Sequence, residues 1–274
     1  MSFDSFTKLF FDAYERRARL TPALLALLPL LAAVIMIFHQ SISIWTSLLT
    51  LAISSGVLFL LSDIARGAGK SCQDSLFKLW GNKPSVIVLR HSDTTINPIT
   101  KEGFHDFLSK QLGKPLPTLE QERADPCTAD ALYDASTSFL IGATQNKKNF
   151  PLVHIENANY GFRRNAYGLR LIGVIISIFS LSAVLLDAYF RYGAESIEAH
   201  MAFKPEIMAE VIFQLAFLVI WLLFFTKSRV RQAGFAYALA LVGSCHALTV
   251  QNKKNLEQSN AIKQKKTAKE KESS

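Results

Sequence analysis

Charge is what this sequence has least of. Only 19% of its 274 residues are Asp, Glu, Lys or Arg, while half are apolar. The stretches 20–38 and 44–61 hold no charged residue at all. A water-soluble domain spreads its apolar residues over amphipathic segments. Concentrating them in uncharged blocks, with the charges in between, excludes a single soluble globule and indicates a multi-pass membrane protein. The positive mean hydropathy of +0.20 agrees. Cysteine is nearly missing too. Cys72, Cys127 and Cys245 lie far apart and form no CxxC pair, which excludes a disulfide framework and a cysteine zinc site. They are expected to be free thiols.

Acidic residues are outnumbered 22 to 30, giving a net charge of +8. The surplus is local. Residues 226–274 carry ten basic and three acidic residues, whereas 63–168 carry thirteen and eleven. A basic tail of this kind meets the anionic phospholipid headgroups of a bilayer rather than nucleic acid.

Four blocks have the length and composition of membrane spans: 20–38, 44–61, 169–190 and 207–225. Each has about the 20 residues that cross a hydrocarbon core of roughly 30 Å. The fold expected is mainly α: a four-helix transmembrane bundle with a small, mostly helical cytoplasmic domain between spans two and three. Two hairpins, 20–62 and 169–226, enclose that domain at 63–168. Lys8, Arg16, Arg17 and Arg19 precede span one, Arg163, Arg164 and Arg170 enter span three, and Lys227, Arg229 and Arg231 follow span four. The outer loops hold only Arg191 and Lys204. Basic residues favour the cytoplasmic side, so both termini are expected there. The first block is too long for a signal-peptide core and leads at once into a second span.

The flanking segments carry their own signals. Phe3, Phe6, Phe10 and Tyr14 recur at helical spacing, as in an interfacial amphipathic helix over 1–19. The uncharged segment 233–250 would cross outward only by carrying a Lys-rich tail with it. A buried cytoplasmic helix over 227–250, continuing span four, fits the charge rule better. Residues 251–274 are Lys, Glu, Gln and Ser with hardly an apolar side chain, a composition that predicts a disordered end.

Inside the polar domain, Asn97-Pro98 and Asp125-Pro126 are helix starts, with an N-cap followed by proline. Phe104, Phe107 and Leu108 share a face of the first helix. Ala129, Leu132, Tyr133, Ser136, Leu140 and Ala143 share a face of the second. Gly113 to Pro117 ends the first. The β-branched run 83–90 reads as a strand.

Candidate chemistry is sparse, and no cofactor is implied. Gly67-Ala68-Gly69-Lys70-Ser71 resembles a phosphate loop, but Ile64 stands where the pattern needs glycine, and a membrane helix precedes it. A flexible helix exit with Arg66 and Lys70 on lipid phosphates is the plainer reading. His91, Asp93, His105 and Asp106 form a loose His/Asp group that Asp125 and Asp130 could join, but the spacing matches no metal site. Arg90 and His91 end the strand-like run, where ligand-facing residues often sit. Asn157, Tyr160, Arg163 and Arg164 lie before span three, where Tyr and Arg anchor helices to headgroups. Asp187, Glu210 and Gln214 lie near the outer ends of spans three and four, where ionisable groups mark pathways.

Several runs together carry a resemblance: Arg66-Gly67-x-Gly69-Lys70, Leu76-Phe77-x-x-Trp80-Gly81, Leu89-Arg90-His91-x-Asp93, Asp125-Pro126-x-x-Ala129-Asp130 and Glu156-Asn157-x-x-Tyr160-Gly161-Phe162-Arg163-Arg164-Asn165. The pattern resembles a family of uncharacterised bacterial multi-pass membrane proteins, over about 40% of the chain. It departs from that family at Asn82 and Ser92. The resemblance implies a bacterial inner membrane and brings no activity with it.

Three function classes follow. The first is a sensor or effector acting through the cytoplasmic domain on a cytoplasmic protein partner. The second is a pore or transporter, such as a stress or phage-defence effector, built as a homo-oligomer because four short spans make a thin wall. The third is a membrane-bound metal-dependent hydrolase using His91, Asp93 and His105.

Overall fold

The computed structural model describes residues 12–38, 46, 48, 57–192 and 205–272, with side chains placed as far as Lys254 except that of Leu58. The described residues are mainly helical and contain no strand. Their helices, in order, are α1 (Ala13–Ile37), α2 (Val57–Trp80), α3 (Pro84–Ile87), α4 (Pro98–Leu112), α5 (Leu119–Ala124), α6 (Pro126–Ala143), α7 (Pro151–Gly168), α8 (Arg170–Tyr192), α9 (Pro205–Phe224) and α10 (Lys227–Glu272). Four segments are long and apolar enough to cross a membrane: Ala13–Ile37, Arg170–Tyr192, Pro205–Phe224 and Lys227–Lys254. The first three match expected spans one, three and four. The second span, 44–61, falls mostly outside the described residues, as do Phe3, Phe6 and Phe10 of the amphipathic segment.

The chain packs as two compact units. One comprises Met1–Leu79 and Asn157–Ala233, the other Trp80–Glu156 and Gly234–Ser274.

In the first unit, α8 is the centre of a three-helix bundle with α1 and α9. A stripe of small residues on α8 (Gly173, Ser177, Ser180, Val184 and Ala188) is buried, while Leu171, Ile175 and Phe179 on its other side are exposed. Small residues let helix backbones approach closely where lipid offers no hydrophobic drive between helices. The indole of Trp221 lies on the Gly173 backbone, so a Cβ there would overlap the ring. At one end of the bundle Asn165, just before α8, donates to the carbonyl of Ala18 in α1. At the other end Arg191 of α8 donates to the carbonyl of Ile37. Helices α1 and α8 therefore run in the same direction. Helix α9 runs against them, since Trp221 near its end meets Gly173 near the start of α8.

Glycine also explains α2. The Gly67-to-Ser71 segment is not a flexible exit but the interior of a continuous helix. Gly69 is there because Asn165 lies against it, with Oδ1 where a Cβ would be. Gly168 meets the Ala68 backbone in the same way.

The second unit has both proline-marked helix starts. Asn97 accepts from the Ile99 N–H and Asp125 from the Thr128 N–H. Gly113 ends α4 at φ 63°, the left-handed conformation that glycine adopts without strain. The expected faces are the buried ones: Phe104 and Leu108 on α4, and Ala129, Tyr133, Ser136 and Leu140 on α6. Their core is completed by Ala238, Leu241, Val242, Cys245 and Leu248 of α10. Residues 238–248 thus supply one wall of the polar unit's core.

Two further expectations are corrected. The run 83–90 is the short helix α3 followed by turns, because Pro84 occupies a first helical position and Val86, Val88 and Leu89 are buried without strand partners. Helix α10 does not continue α9. The chain breaks at Phe225 (ψ 83°), and Thr226 caps the new helix through its hydroxyl and the Arg229 N–H. Helix α10 extends to Glu272. Lys, Glu, Gln and Ala are all good helix formers, and an established helix propagates more easily than one begins.

Gly67 has open space at its Cβ position whereas Gly168 has backbone. Gly67→Ala is expected to raise thermal stability in detergent, by about 0.5–1 kcal/mol. Gly168→Ala is expected to lower it by about 1–3 kcal/mol. Thermal unfolding of the two variants beside the parent checks both.

Candidate functional site

The polar unit gathers its ionisable side chains around the turn that follows α3. Val86, Val88 and Leu89 are fully buried and anchor that turn to the core. Arg90 forms a two-pronged ion pair with Asp130 of α6, Nε to Oδ1 at 2.8 Å and Nη2 to Oδ2 at 2.6 Å. Asn82 donates to the same carboxylate, and Arg90 Nη2 also reaches the Gly81 carbonyl. Next in the chain, the N–H groups of His91 and Ser92 point at Glu122 of α5. The hydroxyl of Tyr133 donates to that carboxylate at 2.8 Å. Glu122 is only 7% exposed. Burial pushes its pKa up, but the hydrogen bonds from His91, Tyr133 and Ser92 outweigh this and hold it below the ordinary carboxylate range. Asp130 is held low likewise, with Arg90 and Asn82 prevailing over burial. Burial pushes the Tyr133 phenol far up, in concert with the Glu122 carboxylate.

The histidines are close but occupied. His91 and His105 meet edge to face with ring centroids 4.8 Å apart. His91 Nε2 is 2.9 Å from the Pro117 carbonyl, and His105 Nε2 is 2.8 Å from that of Leu89. A carbonyl only accepts, so each Nε2 carries the proton. Burial pulls the His105 pKa down, which keeps the ring neutral at pH 7. Asp93 caps its own turn by accepting from the Thr95 N–H. Lys101 is buried and donates to the carbonyls of Arg90 and Asp93; burial lowers its pKa. Asp106 is exposed. Among the described residues no three His, Cys, Asp or Glu side chains are grouped so as to hold a metal ion.

The remaining candidates belong to the other unit. Arg66, half-buried, and Lys70, exposed, lie on α2. Arg164 is fully engaged: Nε and Nη2 fork onto Asn165 Oδ1, Nη1 reaches Gln73 at 2.6 Å, and the group lies 5.6 Å from the Tyr160 ring centroid. Burial pushes the Tyr160 phenol up to about 12. Arg163 turns elsewhere, to the ring of Phe224, which it shares with Arg229. A cavity of about 470 Å³ opens beside these helices, lined by Ala68, Ser71, Cys72, Tyr167, Arg170 and Leu222 among others. Arg170 spans it to the carbonyls of Trp221 and Leu222.

Asp187, Glu210 and Gln214 do not form one cluster. Asp187 pairs with Arg191 one turn on, at 2.9 Å. Gln214 is fully buried and donates to Glu210 and to the Pro29 carbonyl, both at 2.7 Å. Its Oε1 has no partner among the described residues.

Comparison with protein-family models, with characterised proteins and with solved structures finds no match. The site therefore stands on its geometry alone. Sequence reasoning named Arg90, His91 and Asp130, and Tyr133 as a core position, but missed Glu122 and Lys101, which help to hold the turn. Glu122 sits in a short polar run (Thr118 to Arg123) where nothing marks one acid as buried. Asn165 stood out only as part of a motif.

The pH dependence follows from these shifts. Glu122, Asp130 and His105 all have lowered pKa values in the fold, so each contributes stability above its unfolded pKa and loses it in acid. Stability is expected to fall first below about pH 6.5 through His105, then more steeply below about pH 4 through the two carboxylates. Glu122→Gln is expected to cost about 1–3 kcal/mol at pH 7 and to flatten the acid limb. Thermal unfolding across roughly pH 3–8 measures both; an unchanged acid limb in the variant overturns the assignment.

Proposed function

We propose that this chain is a multi-pass protein of a bacterial inner membrane, with both termini and the polar unit in the cytoplasm. It acts as a sensor or effector by binding a cytoplasmic protein partner through that unit. The observation that carries this reading is the commitment of the polar unit's acids, bases and imidazoles to one another. Arg90, Asp130, Glu122, Lys101 and both histidine Nε2 atoms serve internal bonds. Such a unit presents a shaped surface rather than reactive groups. The basic residues favour the orientation: Arg16, Arg17 and Arg19 of α1 and Arg170 of α8 stand at the same end of two parallel helices. The basic flanks supply contacts with anionic headgroups, and α10 serves the polar unit's core instead of crossing.

A second reading, a homo-oligomeric pore, draws on Gln214, which lies beside Glu210 and whose buried Oε1 meets no donor among the described residues. Ion flux in liposomes would then fall in Glu210→Ala. Unchanged flux removes that reading.

Exposed Cys127 supplies a direct test of the first. A membrane-impermeant maleimide is expected to label it in inverted vesicles and not in intact cells; labelling from outside overturns the orientation. Affinity purification in mild detergent is expected to retain one cytoplasmic protein. Repeated recovery of the chain alone overturns the sensor reading.

A further inference from the structure

We infer that Arg163 and Arg229 form a binding site for the phosphate of an anionic phospholipid. Helices α7 and α10 bring these side chains together, with both arginines in the first unit. The guanidiniums of Arg163 and Arg229 both lie over the ring of Phe224, 4.8 and 4.0 Å from its centroid. Arg163 has its pKa lowered by burial, and further by the nearby charges of Arg229 and Arg17. Like charges this close repel. Yet among the described residues no Asp or Glu forms an ion pair with either Arg163 or Arg229. The acid closest to Arg17 in sequence, Glu15, pairs with Arg19 instead.

The second observation is an atom. Nη1 of Arg163 is buried and has no acceptor among the described residues. A buried donor left unpaired costs free energy, more so when it is charged. What the cluster lacks is an anion with several oxygens, and guanidinium forks match phosphate geometry well. The surroundings choose the source. Phe224 ends α9, whose neighbouring Ile220, Leu222 and Leu223 are exposed apolar residues on a helix long enough to span a membrane. A phospholipid places its phosphate on the arginines while its chains cover those side chains. Basic pockets between membrane helices on the cytoplasmic side are suited to such headgroups.

This site rests on the membrane reading proposed above, and the two fail separately. The full chain, purified in mild detergent, is examined by native mass spectrometry with equal phosphatidylglycerol and phosphatidylcholine. A phosphatidylglycerol adduct favoured by roughly tenfold is expected, falling to about parity in Arg163→Gln and Arg229→Gln. Arg229 is exposed, so its variant keeps the test open where Arg163→Gln fails to fold. Equal binding of the two lipids by the parent, or an unchanged preference in Arg229→Gln, overturns the site. Loss of the adduct in millimolar inorganic phosphate assigns the arginines to a soluble anion and overturns the lipid. Release of the parent chain from membranes by alkaline carbonate overturns the membrane reading instead.

Discussion

The bond from Asn165 Nδ2 to the Ala18 carbonyl, 2.7 Å long and buried, is where the first unit is tied together. Pro22 has no N–H, so the Ala18 carbonyl lacks the donor that an unbroken helix would provide four residues on. The backbone widens into a π turn at Arg16–Leu20, and Asn165 of α7 supplies the donor. The rest of the junction is shaped around that bond. Gly69 of α2 is bare because Asn165 fills its Cβ position, and Gly161 is bare because Ala18 does. Arg164 forks onto the Asn165 oxygen and so fixes which way the amide faces. One missing N–H in α1 thus constrains residues on two other helices.

The same constraint recurs at the far end of α9. Its last turn is again a π turn, Ile220–Phe224, and the chain breaks after it, leaving carbonyls without helical donors. Arg170, the first residue of α8, donates to those of Trp221 and Leu222. Among apolar helices there is no solvent to take over this role, so each unpaired backbone group must be met by a side chain. Asn165 and Arg170 are five residues apart, on either side of the α7–α8 joint. That joint is basic for two reasons: Arg170 serves the backbone, and Arg163 and Arg164 face an aromatic ring and an amide.

In the polar unit a buried acid has the equivalent part. Glu122 would be costly alone, yet two backbone N–H groups and the Tyr133 hydroxyl make its ionised form the favoured one. Because the backbone donors come from the turn after α3, the acid fixes the placement of Arg90 and His91. Both residues look catalytic in sequence for the reason that makes them structural in the fold: they are polar groups at a tight turn. The capped helix starts were legible because Asn97-Pro98 and Asp125-Pro126 signal through their immediate neighbours. The strand reading of 83–90 failed because β-branched residues report burial as much as conformation, and Val86 and Val88 are buried in a helix and a turn. Glu122 was not legible at all, and Asp130 was legible as a polar candidate but not as the partner of Arg90, since the partners lie 31 and 40 residues away.

The contrast between two neighbouring arginines shows where a ligand is to be sought. Arg164 and Arg163 are adjacent on α7 and identical in sequence terms. Arg164 has its forks occupied by amides of its own chain, so its replacement is a matter of packing. Arg163 faces an aromatic ring and two other cations, with a buried nitrogen that meets no oxygen among the described residues. A fold selected for stability alone would place a carboxylate beside it, as it does beside Arg90, Arg19 and Arg191. Withholding that carboxylate leaves a positive field directed at whatever anion the surroundings hold, and in a bilayer that anion is a headgroup phosphate.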